Sequence, residues 1–208
     1  MNFLAIAKRL RQESGIAGTG PTTVVSQAGE MGRVVDWAND AWLTIQRKQH
    51  WDWLWEQATV TILAAASSTA GSIPANRYLR DKARIGTARL SFRPWERFSI
   101  IYPTQAAGTP SVWSIRPDGA FVVDAAPTAN TAITVERYKL PTSMAADTDT
   151  PAMPDRFHMA IVWRALMDAS DYDEAGVSRA TAAAKYAEVL GDALSEGRPV
   201  LSLGAPLL

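Results

Sequence analysis

Apolar positions follow a helical period at both ends of the chain and a strand-like period in the middle. Phe3, Leu4, Ile6, Ala7 and Leu10 recur at helical spacing, with Lys8, Arg9, Arg11 and Glu13 on the other face. This predicts a short amphipathic helix over about 2–14. Gly15 is placed for a left-handed cap, and Pro21 prevents a quick restart. Val34, Trp37, Ala38, Ala41, Trp42 and Ile45 predict a second helix over about 26–49. Ser26 or Thr23 would cap it, and Glu30 would support its first turn. Phe157, Ile161, Val162, Ala165, Leu166 and Ala169 predict a helix over about 155–172. Ala182, Tyr186, Val189, Leu190 and Leu194 predict another over about 174–195, stopped by Gly197 and Pro199.

Between these pairs of helices the period changes. Trp51, Trp53 and Trp55 alternate, and Thr59–Leu63 has the β-branched content of a strand. Further β signals fall at Ile85 and Leu90, Phe98–Tyr102, Val112–Ile115, Phe121–Val123 and Ile133–Tyr138. Pro117-Asp118-Gly119 and Ala126–Asn130 supply turns, so the region reads as an antiparallel meander. Pro141, Pro151 and Pro154, with acidic residues between them, mark an extended linker.

The expected fold is α+β and mainly helical, because four amphipathic helices must pack together to bury their stripes. Residues 1–55 and 140–196 would form a four-helix body, 56–139 an inserted antiparallel β-rich module, and 197–208 an extended C-terminal tail.

Composition narrows the class. The 208 residues are 47% hydrophobic and 20% charged, enough for a sizeable core and unlike a disordered or collagen-like chain. No apolar run approaches the roughly 18 residues of a spanning helix. With no cysteine there is no disulfide, thiolate nucleophile or cysteine-held zinc. The first residues carry their charges after the apolar run, the reverse of a secretory signal, so a soluble intracellular chain is expected.

The 21 basic and 21 acidic residues cancel, which argues against coating nucleic acid through bulk charge. The cancellation hides a split. Residues 1–104 hold 13 Lys/Arg and 8 Asp/Glu, and 105–208 hold 8 and 13. Arg77, Arg80, Lys82, Arg84, Arg89, Arg93 and Arg97 face only Asp81 and Glu96 in sequence. Asp147, Asp149, Asp155, Asp168, Asp171, Asp173 and Glu174 face only Arg156 and Arg164. These are either two solvated faces or the two sides of a dipolar subunit. In the second case Arg77, Arg80, Lys82, Arg84 and Arg89 would meet Asp168, Asp171 and Asp173 of a neighbour.

Catalytic patterns are lacking. His50 and His158 stand in no H-E-x-x-H or H-x-H arrangement, and there is no G-x-S-x-G elbow. Asp147-Thr148-Asp149 opens like a calcium loop, but Ala152 and His158 occupy the positions that need glycine and glutamate. Gly15, Gly18 and Gly20 follow a helix and have no P-loop lysine. No enzyme activity, cofactor or metal is expected.

Trp37 and Trp42 belong to a helix stripe and read as core. Trp51, Trp53 and Trp55 are either a hinge between helical and β parts or a platform for sugars or bases. With the basic run 77–97 and its Tyr78, Phe92 and Trp95, they leave a carbohydrate- or nucleic-acid-binding module as the alternative function. Val200, Leu201, Leu203, Leu207 and Leu208 form an apolar end that is either a docking segment or a disordered terminus.

Several stretches together carry a resemblance. They are Arg33-Val-Val-Asp-Trp-Ala-Asn-Asp-Ala-Trp-Leu-Thr-Ile-Gln46 running into His50-Trp-Asp-Trp53, then Trp113-Ser-Ile-Arg-Pro-Asp-Gly119 and Val135-Glu-Arg-Tyr-Lys-Leu-Pro141, and last Asp149-Thr-Pro-Ala-Met-Pro-Asp-Arg-Phe-His158 leading to Ala165 and Leu166. Over roughly 1–195 the chain resembles the head-to-tail adaptor (connector) proteins of tailed bacteriophages. The resemblance implies a structural role in the virion, at the head-to-tail junction, for a protein made in the host cytoplasm. It implies a homo-oligomeric ring, commonly of about twelve subunits, beneath the portal protein. The ring would extend the DNA channel, pass genomic DNA without sequence-specific contact, and present a surface to a downstream tail or nozzle protein. No membrane is involved. The apolar end would then dock on the portal or on a neighbouring subunit.

Overall fold

The computed structural model describes residues 1–15, 20–72, 75, 77–172 and 178–196. Its helices and strands, in chain order, are α1 (Phe3–Glu13), α2 (Gly29–Lys48), β1 (Trp55–Ile62), β2 (Ser68–Ser72), β3 (Arg77–Tyr78), β4 (Arg84–Ile85), β5 (Ala88–Arg89), β6 (Ser91–Phe92), α3 (Trp95–Ile101), β7 (Val112–Ile115), β8 (Ala120–Val123), β9 (Thr131–Tyr138), α4 (Met159–Tyr172) and α5 (Arg179–Glu196). This is an α+β fold. It separates into two compact units, one of Met1–Trp53 with the chain from Pro141 onward, the other Leu54–Leu140.

In the helical unit, α4 packs against α1, α2 and α5. α1 starts where the Asn2 side chain accepts the Ala5 N–H at 2.9 Å, satisfying one donor the helix cannot pair itself. It buries Phe3, Ile6, Ala7 and Leu10 and ends at Gly15, whose φ of 71° is left-handed. Arg11, almost wholly buried, forms an ion pair with Glu30 of α2. Neither Ser26 nor Thr23 caps α2, which begins only at Gly29 with Ala28 before it and no side-chain cap. At its other end α2 is closed by a tryptophan: the Trp51 indole N–H donates to the Ile45 carbonyl at 2.7 Å. A 3₁₀ turn at Asp155–Phe157 precedes α4, so the helix expected from 155 starts at Met159. α5 begins after Ser178, whose hydroxyl accepts the Thr181 N–H. Its predicted start at 174 and the tail 197–208 lie outside the described residues.

The stretch 141–154 was expected as a linker, yet it is tied down along its length. The Gln46 side-chain amide both donates to the Thr142 carbonyl at 2.9 Å and accepts the Thr142 N–H at 3.1 Å. Asn39 accepts the Met144 N–H at 3.0 Å. Asp147 accepts the Val24 N–H at 2.6 Å and the Thr23 hydroxyl at 3.0 Å. Asp149 accepts the Ala145 and Ala146 N–H groups, which hold its carboxyl below the usual carboxylate range. Two acidic residues that read as free surface charge therefore satisfy backbone donors.

The β unit holds two sheets in place of one meander. The first orders its strands β1-β9-β4-β5, with β3 also on β9; the second runs β2-β8-β7-β6. β6 and β7 pair in parallel, against the antiparallel expectation. The Pro117-Asp118-Gly119 turn joins β7 to β8, with Gly119 at φ 84° and its N–H on the Arg116 carbonyl at 2.8 Å. The core gathers Val60, Ile62, Leu90, Phe121, Ile133 and Val135 around Trp113. Trp113 stacks on Phe121 at 4.8 Å and meets the Phe92 ring at 4.9 Å at a steep angle.

The run Phe98–Tyr102, expected as a strand, is the end of helix α3 and its cap. Only Phe98 of α3 is buried; Trp95 and Tyr102 flank it on the same side, three and four residues away. That spacing belongs to a helix packed on one edge of its ring cluster, not to a strand.

Candidate interaction surfaces

The charge split between the halves of the sequence persists, slightly smaller, between the two units. Residues 54–140 carry 10 Lys/Arg and 6 Asp/Glu, a net +4, and the remaining residues carry 11 and 15, a net −4.

On the β unit, the five basic residues expected at a subunit contact lie in a short stretch of strands and turns. Arg77 is in β3, Arg80 and Lys82 follow it, Arg84 is in β4 and Arg89 in β5. Arg84 and Arg89 are directly paired across the β4–β5 hairpin. Arg84 reaches Glu136 at 3.5 Å. Arg80 sits over the Phe92 ring at 4.7 Å. Arg77, Lys82 and Arg89 are exposed. Two more basic side chains of the same unit are spent locally. Arg137 pairs with Glu56 at 2.7 Å, and Arg116 holds Asp118 below its ordinary pKa.

The acidic residues expected opposite them are placed differently. Asp168 pairs with Arg164 one turn away at 2.6 Å, and Asp171 forms an ion pair with Arg179 of α5. Asp173 lies outside the described residues, as do Val200, Leu201, Leu203, Leu207 and Leu208. The structure thus gathers the basic set on one unit but gives two of its three expected acidic partners a basic residue of their own chain.

The tryptophan cluster makes a pocket, not an open platform. Trp51 is buried, and its ring stacks on Trp53 at 4.3 Å with 15° between planes. The extended run expected from their alternation is a 3₁₀ turn, Asp52–Leu54, and strand β1 begins at Trp55. Beside the stack is a pocket of about 220 Å³, lined by Gln49, His50, Asp52, Trp53, Phe157 and Glu196 among others. Its rim carries two exposed carboxylates. Glu196 pairs with Arg156, whose guanidinium lies 4.9 Å over the Phe157 ring. Asp52 makes no ion pair among the described residues.

A second surface feature escaped the sequence reading. Ile100 and Ile101 in α3 are 78% and 49% exposed, although both were expected inside a strand. Pro94-Trp95-Glu96 is the signal that would have found the helix: proline at its start and an acid in its first turn.

His158 is wholly buried, and its role is structural. Its Nδ1 accepts from the Met1 nitrogen at 2.6 Å, and its Nε2–H donates to the Met153 carbonyl at 2.9 Å. Burial pushes its pKa down, so the ring is neutral here. Among the described residues, no three His, Asp or Glu side chains come together as a metal site. No helix among them is long and apolar enough to cross a membrane.

The model of one family, the SU10 adaptor protein, matches residues 1–204. No curated protein shows significant similarity to the chain.

Proposed function

The chain belongs to the SU10 adaptor protein family, a phage head-to-tail adaptor family, and from that membership we propose that it closes into a ring beneath the portal. The coarse role follows from the family: a structural virion component that associates with portal and tail proteins, in a family that is not one of enzymes. In the proposed ring about twelve copies of the chain surround the portal axis. The ring extends the DNA channel and offers the downstream tail or nozzle protein its attachment surface.

The observation that carries the ring is the opposite charge of the two units. A closed ring needs a heterologous interface, in which one face of a subunit meets a different face of the next. A β unit of net +4 and a helical unit of net −4 supply such faces within one chain. Complementary potentials speed encounter, fix register and penalise like-on-like pairing. The chain as a whole remains neutral, which suits a wall past which DNA slides without being gripped. The binding-module alternative loses support at Trp51, which is buried and stacked on Trp53.

Sedimentation with portal-bearing heads tests the reading. Purified chain is expected to co-sediment in a fixed, multiple copy number with heads that carry a portal, and to leave heads without one. Equal binding to both, or attachment of tails to heads that lack the chain, would overturn it.

A further inference from the structure

Two surface features, one on each unit, are complementary in charge. The first is the outer face of α3. Arg97 stands three residues before Ile100 and four before Ile101, so the three share one exposed side of the helix, next to the buried Phe98. Ile100 exposes 78% of its surface, more than any other large hydrophobic side chain among the described residues. Arg97 is exposed and makes no ion pair among the described residues. An apolar pair beside an unpaired guanidinium is a surface that gains from being covered by apolar walls with a carboxylate at their edge.

The second feature is the pocket of the helical unit. Trp53 and Phe157 form aromatic walls, and Asp52 and Glu196 stand on the rim. At about 220 Å³ it has room for one branched aliphatic side chain with space beside it for a guanidinium. The Trp53 indole nitrogen is buried and has no hydrogen-bond partner among the described residues. The Arg156 guanidinium lies over the Phe157 ring and already pairs with Glu196. Asp52 is the carboxylate still open to another.

We propose that the Arg97–Ile100–Ile101 face of α3 in one copy seats in the Trp53–Phe157 pocket of the next, with Arg97 paired to Asp52. This rests on the ring reading above and gives its heterologous interface a named contact. Charge complementarity selects the occupant: the ridge belongs to the +4 unit and the pocket to the −4 unit, so a second copy of this chain supplies both halves. Each copy then donates one ridge and accepts one, as every subunit of a closed ring must.

The chain contains no cysteine, so introduced cysteines report contacts without background. Both Ile100 and Glu196 are exposed, and Ile100→Cys and Glu196→Cys are therefore expected to fold. On portal-bearing heads, oxidation of the double variant should yield a ladder of covalent multimers. A mixture of the two single variants should yield dimers only, and each single variant alone should yield monomers. Arg97→Glu and Asp52→Lys should each lower the yield at least about tenfold, and the two together should restore it.

Failure of the ladder in a particle that still carries multiple copies would overturn this contact and leave the ring standing. Failure of the wild-type chain to bind in multiple copies would overturn the ring itself. Dimers from Ile100→Cys alone would mean a two-fold contact and overturn the proposal. So would a ladder seen only after removal of residues 197–208, since the chain's own end would then be the pocket's occupant. Cross-links from Ile100→Cys to the portal in place of a neighbouring copy would likewise overturn it.

Discussion

Arg84 and Arg89 face each other directly across the β4–β5 hairpin, with Arg84 leaning to Glu136 at 3.5 Å and Arg89 exposed on the edge strand. Like charges in this position oppose each other. β5 is also the edge of its sheet, where a positive charge discourages pairing with a stray strand. The pair therefore costs some local stability and contributes to the positive potential of the β unit. Arg89→Thr is expected to melt no lower than wild type, with a gain of about 0.2–1 kcal/mol for removing the repulsion. Its assembly on portal-bearing heads should be weaker and less sensitive to salt. Thermal melts and binding at two salt concentrations check both parts.

Asp147 joins two segments distant in sequence, accepting from the Val24 N–H 123 residues away and the Thr23 hydroxyl 124 residues away. Asp147→Ala leaves both donors without their charged acceptor. Hydrogen bonds to charged groups contribute about 1.5–3 kcal/mol each when mutated singly, so a loss of about that size is expected. Urea unfolding followed by circular dichroism measures it. Hydrogen exchange should quicken first at Val24.

Trp113 has ring neighbours on several sides, Phe121, Phe92 and Tyr78. Trp113→Ala opens a large cavity in the β core and is expected to cost about 3–5 kcal/mol. Exchange protection should fall throughout β7, β8 and β9. Protection that stayed at wild-type level in these strands would contradict the packing described for the second unit.

His158 gives the helical unit a pH dependence of definite sign. Its native pKa lies below the ordinary 6.5 because the ring is buried. The Met1 nitrogen and the carboxyl of Asp155, at 3.4 Å, are the charged groups beside it. In the unfolded chain the imidazole takes up its proton as pH falls through 6.5, whereas in the folded chain it does not until lower pH. The unfolded state then binds more protons, so this contribution is complete above pH 6.5 and is lost progressively below it. The melting temperature should fall from pH 7 to pH 5. The imidazole resonances of His158 should titrate at a lower pH in the folded chain than in the unfolded one.

The helix stripes and the strongest strands could be read directly, because their determinants are local. Phe3, Ile6, Ala7 and Leu10 define their helix by spacing alone, and Ile133–Tyr138 lies in β9 by its β-branched content. The failures share a cause. Phe98-Ser-Ile-Ile-Tyr has the side chains of a strand, but what fixes its conformation is a ring cluster at positions 95, 98 and 102 and a proline before them. The partition into two sheets rests on pairings such as Trp55 with Tyr138, which no local pattern encodes. The acids of the 141–154 stretch read as surface charge because their backbone donors, at Val24 and Ala145, become visible only in three dimensions. The basic set was legible as a run. That Asp168 and Asp171 have cationic neighbours in their own chain was not, although Arg164 stands one turn before Asp168.

The central claim is a ring built by the β unit of each copy against the helical unit of the next. Electron cryo-microscopy of portal-bearing heads with the chain bound tests it most directly. A closed ring of the chain on the portal axis is expected, with every Arg97 next to a neighbouring copy's Asp52. Isolated copies, or a ring whose neighbours meet through the same face on both sides, would contradict it.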